Sequence, residues 1–322
     1  MHSDPHVLCL SDTAIAALEL DSRSVRQAIA DAFLAAAQGT LLYKPKASIL
    51  LSPGHAFQSL SAVDTSRGFA SVKWIGMVPP GGSATVNINA SILLSEVSTG
   101  RLRCLMDARE ITAVRTAGMS AVAALTLARA DSISLGLIGA GTQAESHLVA
   151  LSECLPGLRK VSICSRPASA ERLAVRSREL GFDTTIESAR DVVSKSDIVV
   201  STVPVSPGFE PFLDPAWLQP GSLVIAIDLG RSWLHAGLDA IDMLAVDEDA
   251  LRHYAAPGNL IPVLEHAQAT LVDLVSGAHP GRVDSNQRIM FFSSGSGVAD
   301  LAIAMLVYER AQASGCGQSI PF

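Results

Sequence analysis

The sequence predicts an α/β chain in two parts: a doubly wound parallel Rossmann sheet, and a second, α+β domain whose strands are mainly antiparallel. Three observations predict it. From Ser134 onward, near-continuous aliphatic and β-branched runs alternate with segments of helical periodicity, the pattern of strands covered on both faces. The glycine-rich stretch "GAGTQA" joins the first of these runs to the first helical segment. Before about residue 110, short extended runs follow one another with turn signals between them. At 322 residues the chain exceeds the usual size of one hydrophobic core, which agrees with two domains.

In order, "DSRSVRQAIADAFLAAAQG" reads as a helix stopped by its glycine, and "KASILL", "AFQSLSAVD", "FASVKWIGMV" and "ASILLSEV" as strands. Ser98-Thr99-Gly100 is a turn signal that pairs "ILLSEV" with "RLRCLMD" as a hairpin. The helical stretch "AREITAVRTAGMSAVAALTLARA" forms the junction. "SLGLIGA", "KVSIC", "DTTIE", "DIVVSTV" and "SLVIAID" then read as strands, with "QAESHLVALSEC", "SAERLAVRSREL" and "ARDVVSKS" as the helices between them, and "MLAVDE" closes the series. The last helix, "GVADLAIAMLVYERAQAS", lies beyond that series and is expected to return to the first domain.

Composition excludes several classes of function. Apolar residues make up 48% and charged residues 17%, a globular composition. The net charge of -7, with no run of basic residues, gives no footprint for a phosphodiester backbone, so no nucleic-acid partner is expected. No apolar run approaches the ~20 residues of a membrane span, and "MHSDPHVLCLSD" lacks the pattern of a secretory signal. A cytoplasmic protein without membrane contact is the expectation. Cys9, Cys104, Cys154, Cys164 and Cys316 form no C-x-x-C pair and the histidines are scattered, so neither a disulfide framework nor a metal site is expected.

Gly139-Ala140-Gly141-Thr142-Gln143-Ala144 fits G-x-G-x-x-A between a strand and a helix. The first glycine permits the tight turn, the second lets a pyrophosphate reach the backbone, and Ala144 lets the helix pack closely. The helix N-terminus adds N–H groups and partial positive charge. At the end of the second strand, Ser165-Arg166-Pro167 stands where an NAD site usually has a carboxylate. Arg166 could pair with a 2′-phosphate or stack on adenine, which favours NADP(H) over NAD(H); the other reading is a solvated surface arginine. Thr202, Val203 and Pro204 end the fourth strand and Asp228 the fifth, so all four are expected at the nicotinamide end. Asp228 either caps the turn that follows or faces substrate and cofactor.

Two cations stand out. Lys73 lies inside "FASVKWIGMV", alternating with Phe69, Ser71 and Ile75. It is either an edge lysine that discourages aggregation or a buried amine able to exchange a proton near neutrality. Arg115 sits among Ile111, Val114, Ala117 and Met119, where a guanidinium needs an anion: an internal salt bridge or a substrate carboxylate.

With these residues in view, the chain resembles the ornithine cyclodeaminase/mu-crystallin family almost end to end. The resemblance runs through "VKWIGMVPPGGSATVNINASILLSEVSTGRLRCLMDAREITAVRTAGMSAVAALTLAR", "GLIGAGTQAESHL", "DIVVSTV" and "GAHPGRVDSNQRIMFFSSGSGVADLAIA", and the pairing of "RTAGMSA" with "GAGTQA" at this spacing is specific. It implies a homodimer, with 1–115 and 294–322 forming the dimerisation and substrate domain and 116–293 the Rossmann domain that binds NAD(P)(H). It further implies that Lys73 acts on the nitrogen of a small amino or imino acid substrate, that Arg115 holds its carboxylate, and that Asp228 matches the aspartate cyclodeaminases use on a distal amine. The family often has Pro-Pro-Arg where this chain has Lys44-Pro45-Lys46, so the second carboxylate clamp falls to Lys46. Where many members read N-G-H-P this chain reads "MVPPGG", and "IDLGRSWLHAG" matches the cyclodeaminase pattern around Asp228 only with a gap. The implied activity is hydride transfer at the α-carbon, either cyclodeaminase-like or ketimine reductase/amino acid dehydrogenase-like. A mu-crystallin-type role in binding NADPH and a small ligand, with little catalysis, is the alternative.

Overall fold

The computed structural model describes residues 6–52, 55–78, 88–204, 209–249 and 265–322. The Pro79–Gly82 part of "MVPPGG" lies outside them. The chain forms two compact units, Met1–Arg115 with Gly295–Phe322, and Thr116–Ser294.

In the first unit, β1 (His6–Leu10) and the short α1 (Asp12–Ala16) precede α2 (Ser22–Ala37). The Asp21 carboxylate caps α2 by accepting from the Ser24 N–H at 2.7 Å. β2 (Leu41–Ser52), β3 (His55–Asp64), β4 (Phe69–Met77), β5 (Ile88–Glu96) and β6 (Leu102–Asp107) then form an antiparallel meander. The β5–β6 hairpin predicted from Ser98-Thr99-Gly100 is present, and the Gly100 N–H closes its turn on the Glu96 carbonyl at 2.8 Å. The boundary between the units falls within α3 (Arg109–Leu127).

The second unit runs β7 (Ser134–Ile138), α4 (Thr142–Cys154), β8 (Lys160–Cys164), α5 (Pro167–Glu179), β9 (Asp183–Ile186), α6 (Ala189–Lys195), β10 (Ile198–Ser201), β11 (Leu223–Ala226), β12 (Met243–Val246), β13 (Ala269–Thr270), α7 (Leu271–Ser276) and β14 (Ile289–Phe292). All its strand pairs are parallel, in the order β13-β12-β14-β11-β10-β7-β8-β9. The strand order reverses between β7 and β10, the switch point at which such sheets open a crevice beyond their carboxyl ends. One expectation needs correction: "MLAVDE" does not close the series. The short run "IMFF" forms β14 and inserts between β11 and β12, and β13 adds the far edge. Four buried residues without alternation carry too little periodicity to read as a strand.

The chain then returns to the first unit as α8 (Gly297–Ser314), followed by β15 (Gln318–Pro321). β15 and β1 complete a seven-stranded sheet, β15-β1-β6-β5-β4-β3-β2, antiparallel except where β1 meets β6. α8 is buried over most of its length and packs on β2 to β5 and on α2. One face of the sheet is thereby covered. On the other, register brings Leu42, Val63, Trp74, Leu93 and Leu105 to a common side, and Leu42, Trp74, Leu93 and Leu105 are exposed. Among the described residues, no helix is long and apolar enough to cross a membrane.

Candidate functional site

In the second unit, the turn after β7 has the form its glycines require. Gly139 has φ 104°, and a Cβ there would stand 2.5 Å from Thr202 Oγ1 and 3.2 Å from the Thr202 carbonyl oxygen. The Thr202 N–H and hydroxyl both donate to the Ile138 carbonyl, at 2.9 and 3.3 Å, which fixes the start of the post-β10 segment against the turn. Gly141 differs. Its backbone is extended, and a Cβ would meet nothing within 4 Å among the described residues. Packing among the described residues therefore does not demand glycine there.

Gly141 is also the N-cap of α4, and no side chain among the described residues caps the N–H groups of that first turn. Thr142 and Gln143 lead the turn, while Ala144 is buried against the unit, as close helix packing requires. Buried His147 fixes the helix: its Nδ1–H donates to the Gln143 carbonyl at 2.6 Å and its Nε2 accepts from Ser120 Oγ at 2.9 Å. Burial holds this imidazole down at about 4, so it stays neutral. Arg172, which sequence reasoning did not single out, donates from α5 to the Ala140 carbonyl at 3.2 Å and braces the turn from the other side.

At the end of β8, Ser165 is half-buried and Arg166 exposed, at the N-cap of α5. The Arg166 side chain makes no ion pair or hydrogen bond among the described residues. Val203 and Pro204 follow Thr202 directly beyond β10. The open cradle at Gly141 and the uncapped helix start together fit a pyridine dinucleotide.

Asp228 lies two residues past β11 and is buried. Its carboxylate accepts from Ser201 Oγ at 2.9 Å, from the Gly230 N–H at 3.1 Å, and from Ser232 Oγ in a very short contact. Trp233 Nε1 in turn donates to Ser201 Oγ at 3.2 Å. Burial pushes the Asp228 carboxyl up to about 6, against the pull of these donors.

In the first unit, the strand order decides between the two readings of Lys73. β4 is flanked by β3 and β5, so Lys73 is not on an edge; it is fully buried, on the face that α8 covers. Its Nζ lies 2.5 Å from Asp300 Oδ1, and the same oxygen lies 3.1 Å from Arg115 Nε. Burial and the Arg115 charge push the Lys73 amine down to about 7, Asp300 pushes it back up, and Lys46 adds a further downward pull. Lys46 is half-buried on edge strand β2, where the pairing with β3 breaks between Lys44 and Ala47. Pro45, which has no N–H to give a ladder, occupies that break. Arg115 also lies against Gly295, where a Cβ would fall 2.7 Å from Nη2 and 2.8 Å from Nη1. The guanidinium is therefore in contact with both Gly295 and Asp300.

The structure thus brings Lys73, Arg115 and Lys46 together in one unit, and Gly139 to Ala144 with Thr202 in the other. Asp300 is the group that sequence reasoning missed. The signal was available: it is the one charge in the apolar run "GVADLAIAMLV", and a carboxylate in a helix buried on all sides must meet a cation.

The profile of the ornithine cyclodeaminase/mu-crystallin family matches residues 9–315. Ketimine reductase mu-crystallin of Mus musculus is 32% identical over 233 residues, covering 70% of this chain and 71% of that protein. Among solved structures, Thermococcus litoralis Δ1-pyrroline-2-carboxylate reductase in complex with NADH and L-proline matches with a TM-score of 0.88 and 26% identity, over 98% of this chain and all (100%) of the other. An archaeal alanine dehydrogenase dimer with bound NAD matches with a TM-score of 0.88 and 25% identity, over 99% and 100% of the two chains. With the match running through both units, this chain belongs to the ornithine cyclodeaminase/mu-crystallin family.

Proposed function

We propose that this chain is a NAD(P)(H)-dependent oxidoreductase of small 2-amino acids and their 2-imino counterparts, acting at the carbon that bears both nitrogen and carboxylate. The observation that carries this reading is Lys73, a fully buried amine in a central strand, held near neutrality beside a fixed guanidinium. Arg115 and Lys46 take the substrate carboxylate, Arg115 through its planar fork and Lys46 as a point charge. Lys73 exchanges a proton with the substrate nitrogen, as neutral base toward an amine and as ammonium acid toward an imine. Gly139, Gly141, Thr142, Gln143 and Ala144 hold the pyrophosphate, Ser165 and Arg166 the adenosine ribose, and Thr202, Val203 and Pro204 the nicotinamide end. A pyridine nucleotide held there would supply or take up the hydride. Holding the reactants in register lowers the barrier by roughly 7–11 kcal/mol at best. Exposed Arg166 favours the 2′-phosphate of NADP(H), with NAD(H) as the second choice.

Asp228 bears on the outcome. Ser201, Ser232 and Gly230 turn its carboxylate onto the chain's own backbone and hydroxyls. That supports imine reduction or amino acid dehydrogenation over cyclodeamination, in which a carboxylate must serve a second amine. The relatives named above carry reductase and dehydrogenase names, which supports the same reading. The exposed apolar side of the first sheet, with Leu42, Trp74, Leu93 and Leu105, supports a homodimer through that face.

The test offers ornithine, lysine, alanine and proline with NAD⁺ or NADP⁺, and cyclic ketimines with NADH or NADPH, following nicotinamide absorbance and ammonia. Net NADPH oxidation with an imino acid is the expected result. Ammonia release from ornithine without net cofactor change would select cyclodeamination instead, and cofactor binding without any turnover would select a binding role. Lys73→Ala is expected to lower turnover by about 10²–10⁴-fold, the usual worth of a positioned acid or base, while cofactor binding stays unchanged. Undiminished turnover would remove Lys73 from the reaction. Arg166→Ala is expected to weaken NADPH by about 10- to 100-fold, the worth of a charged hydrogen bond, and to spare NADH; equal loss for both nucleotides would assign Arg166 no role at the 2′-phosphate.

A further inference from the structure

We propose that Asp300 is a positioning residue for this reaction: through the single oxygen Oδ1 it gathers the Lys73 amine and the Arg115 guanidinium, and so sets the proton-exchanging group and the carboxylate clamp at a fixed separation. This rests on the reading of Lys73 and Arg115 just given.

Three features of the structure argue for it. The geometry is convergent, since α8 delivers one carboxylate oxygen to β4 at 2.5 Å and to α3 at 3.1 Å. Gly295, just before α8, lies against the Nη1 and Nη2 atoms while Asp300 lies near Nε, so the start of α8 meets Arg115 at two points. Second, the other oxygen, Oδ2, is buried with no hydrogen-bond partner among the described residues. A carboxylate kept only to satisfy its neighbours would not leave an acceptor stranded in the interior. Third, a buried ion pair is weak support for stability, because apolar residues of similar volume usually do as well. The cost of burying Lys73 with Asp300 in the core of a sheet is therefore explained by what the pair does.

Asp300 also tunes the amine. The charged groups around Lys73 are Asp300 from α8, Arg115 from α3 and Lys46 from β2. Its direct neighbours on the flanking strands, Leu60 of β3 and Ile92 of β5, are apolar. Asp300 is the one member of this set that favours the protonated amine, so removing its charge must weaken proton binding at Lys73.

The experiment compares wild type, Asp300→Asn and Asp300→Glu in pH profiles of kcat/KM for reduction of a cyclic ketimine, with cofactor Kd and thermal unfolding measured alongside. In Asp300→Asn the basic limb is expected to move to lower pH by about 1–3 units, the usual effect of an adjacent opposite charge. Asp300→Glu keeps the charge but moves the carboxylate by a methylene. It is expected to hold the limb in place while kcat/KM falls at least about tenfold, the loss a misplaced clamp produces. Cofactor Kd should be unchanged in both. An Asp300→Asn profile that superimposes on wild type overturns the proposal. Should that variant fail to fold, wild-type kcat/KM in Asp300→Glu overturns it equally. If Lys73→Ala retains turnover, the underlying reading of Lys73 fails; if Lys73→Ala is dead and the Asp300 variants behave as wild type, only the role of Asp300 fails.

Discussion

A Gly141→Val chain is expected to fold as the wild type does and to lose its affinity for pyridine nucleotide by at least about 100-fold, the worth of two charged hydrogen bonds. Gly141 has φ -94° and ψ -172°, extended backbone that any residue adopts, and a Cβ there meets nothing within 4 Å among the described residues. Valine is a poorer N-cap than glycine, which costs α4 about 1 kcal/mol and the melting temperature a few degrees. The isopropyl group, however, fills the space through which a pyrophosphate must reach the uncapped N–H groups of α4. Gly139→Ala is the contrasting variant. With φ 104° and a Cβ only 2.5 Å from Thr202 Oγ1, it strains the turn itself and is expected to destabilise the unit by about 1–3 kcal/mol. Thermal unfolding and fluorescence titration with NADPH separate the two effects. Equal loss of stability in both variants, with cofactor affinity retained at position 141, would reduce the motif to a tight strand-to-helix connection.

These two glycines also mark how far the sequence could be read. Elements whose partners are near in the chain were legible: the β5–β6 hairpin from its turn, β7 to β10 from runs alternating with helices, and α8 as a whole apolar helix. What escaped depends on distant pairing. β1 and β15 lie at opposite ends of the chain, β15 pairing with β1 and β1 in turn with β6, and β14 is a four-residue run placed between β11 and β12 by topology. The same limit applied to the site. Periodicity put Lys73 on a strand, but edge or centre is a property of strand order, and that is what buries it. Arg115 could be read as needing an anion, and Asp300 as needing a cation, yet only the return of α8 onto the first sheet makes them partners. Asp228 could be a turn cap or a site group because its partner Ser201 comes from a neighbouring strand.

Asp228→Ala is expected to destabilise the second unit by about 3–5 kcal/mol, because it strands the buried donors Ser201, Ser232 and the Gly230 N–H at about 1–3 kcal/mol each. The carboxylate also supports a backbone that would not hold unaided: Leu229, between Asp228 and the Gly230 N–H, has φ 59°, a left-handed conformation unfavourable for leucine. Urea unfolding followed by tryptophan fluorescence is a direct readout, since Trp233 Nε1 donates to Ser201 within the same network. A loss under about 1 kcal/mol would place the stabilisation of this turn elsewhere. The pH dependence has a definite sign. Burial raises Asp228 from 3.8 to about 6, so between those values the native chain binds this proton more often than the unfolded chain does. Its contribution is therefore fully present below about pH 4 and is lost as pH rises through about 6, by about 3 kcal/mol at most. Asp228→Asn cannot ionise and lacks that loss. Relative to wild type, its stability is expected to improve from pH 4 to pH 7, and a difference that stays constant over that range would mean that the wild-type carboxyl is already ionised at pH 4.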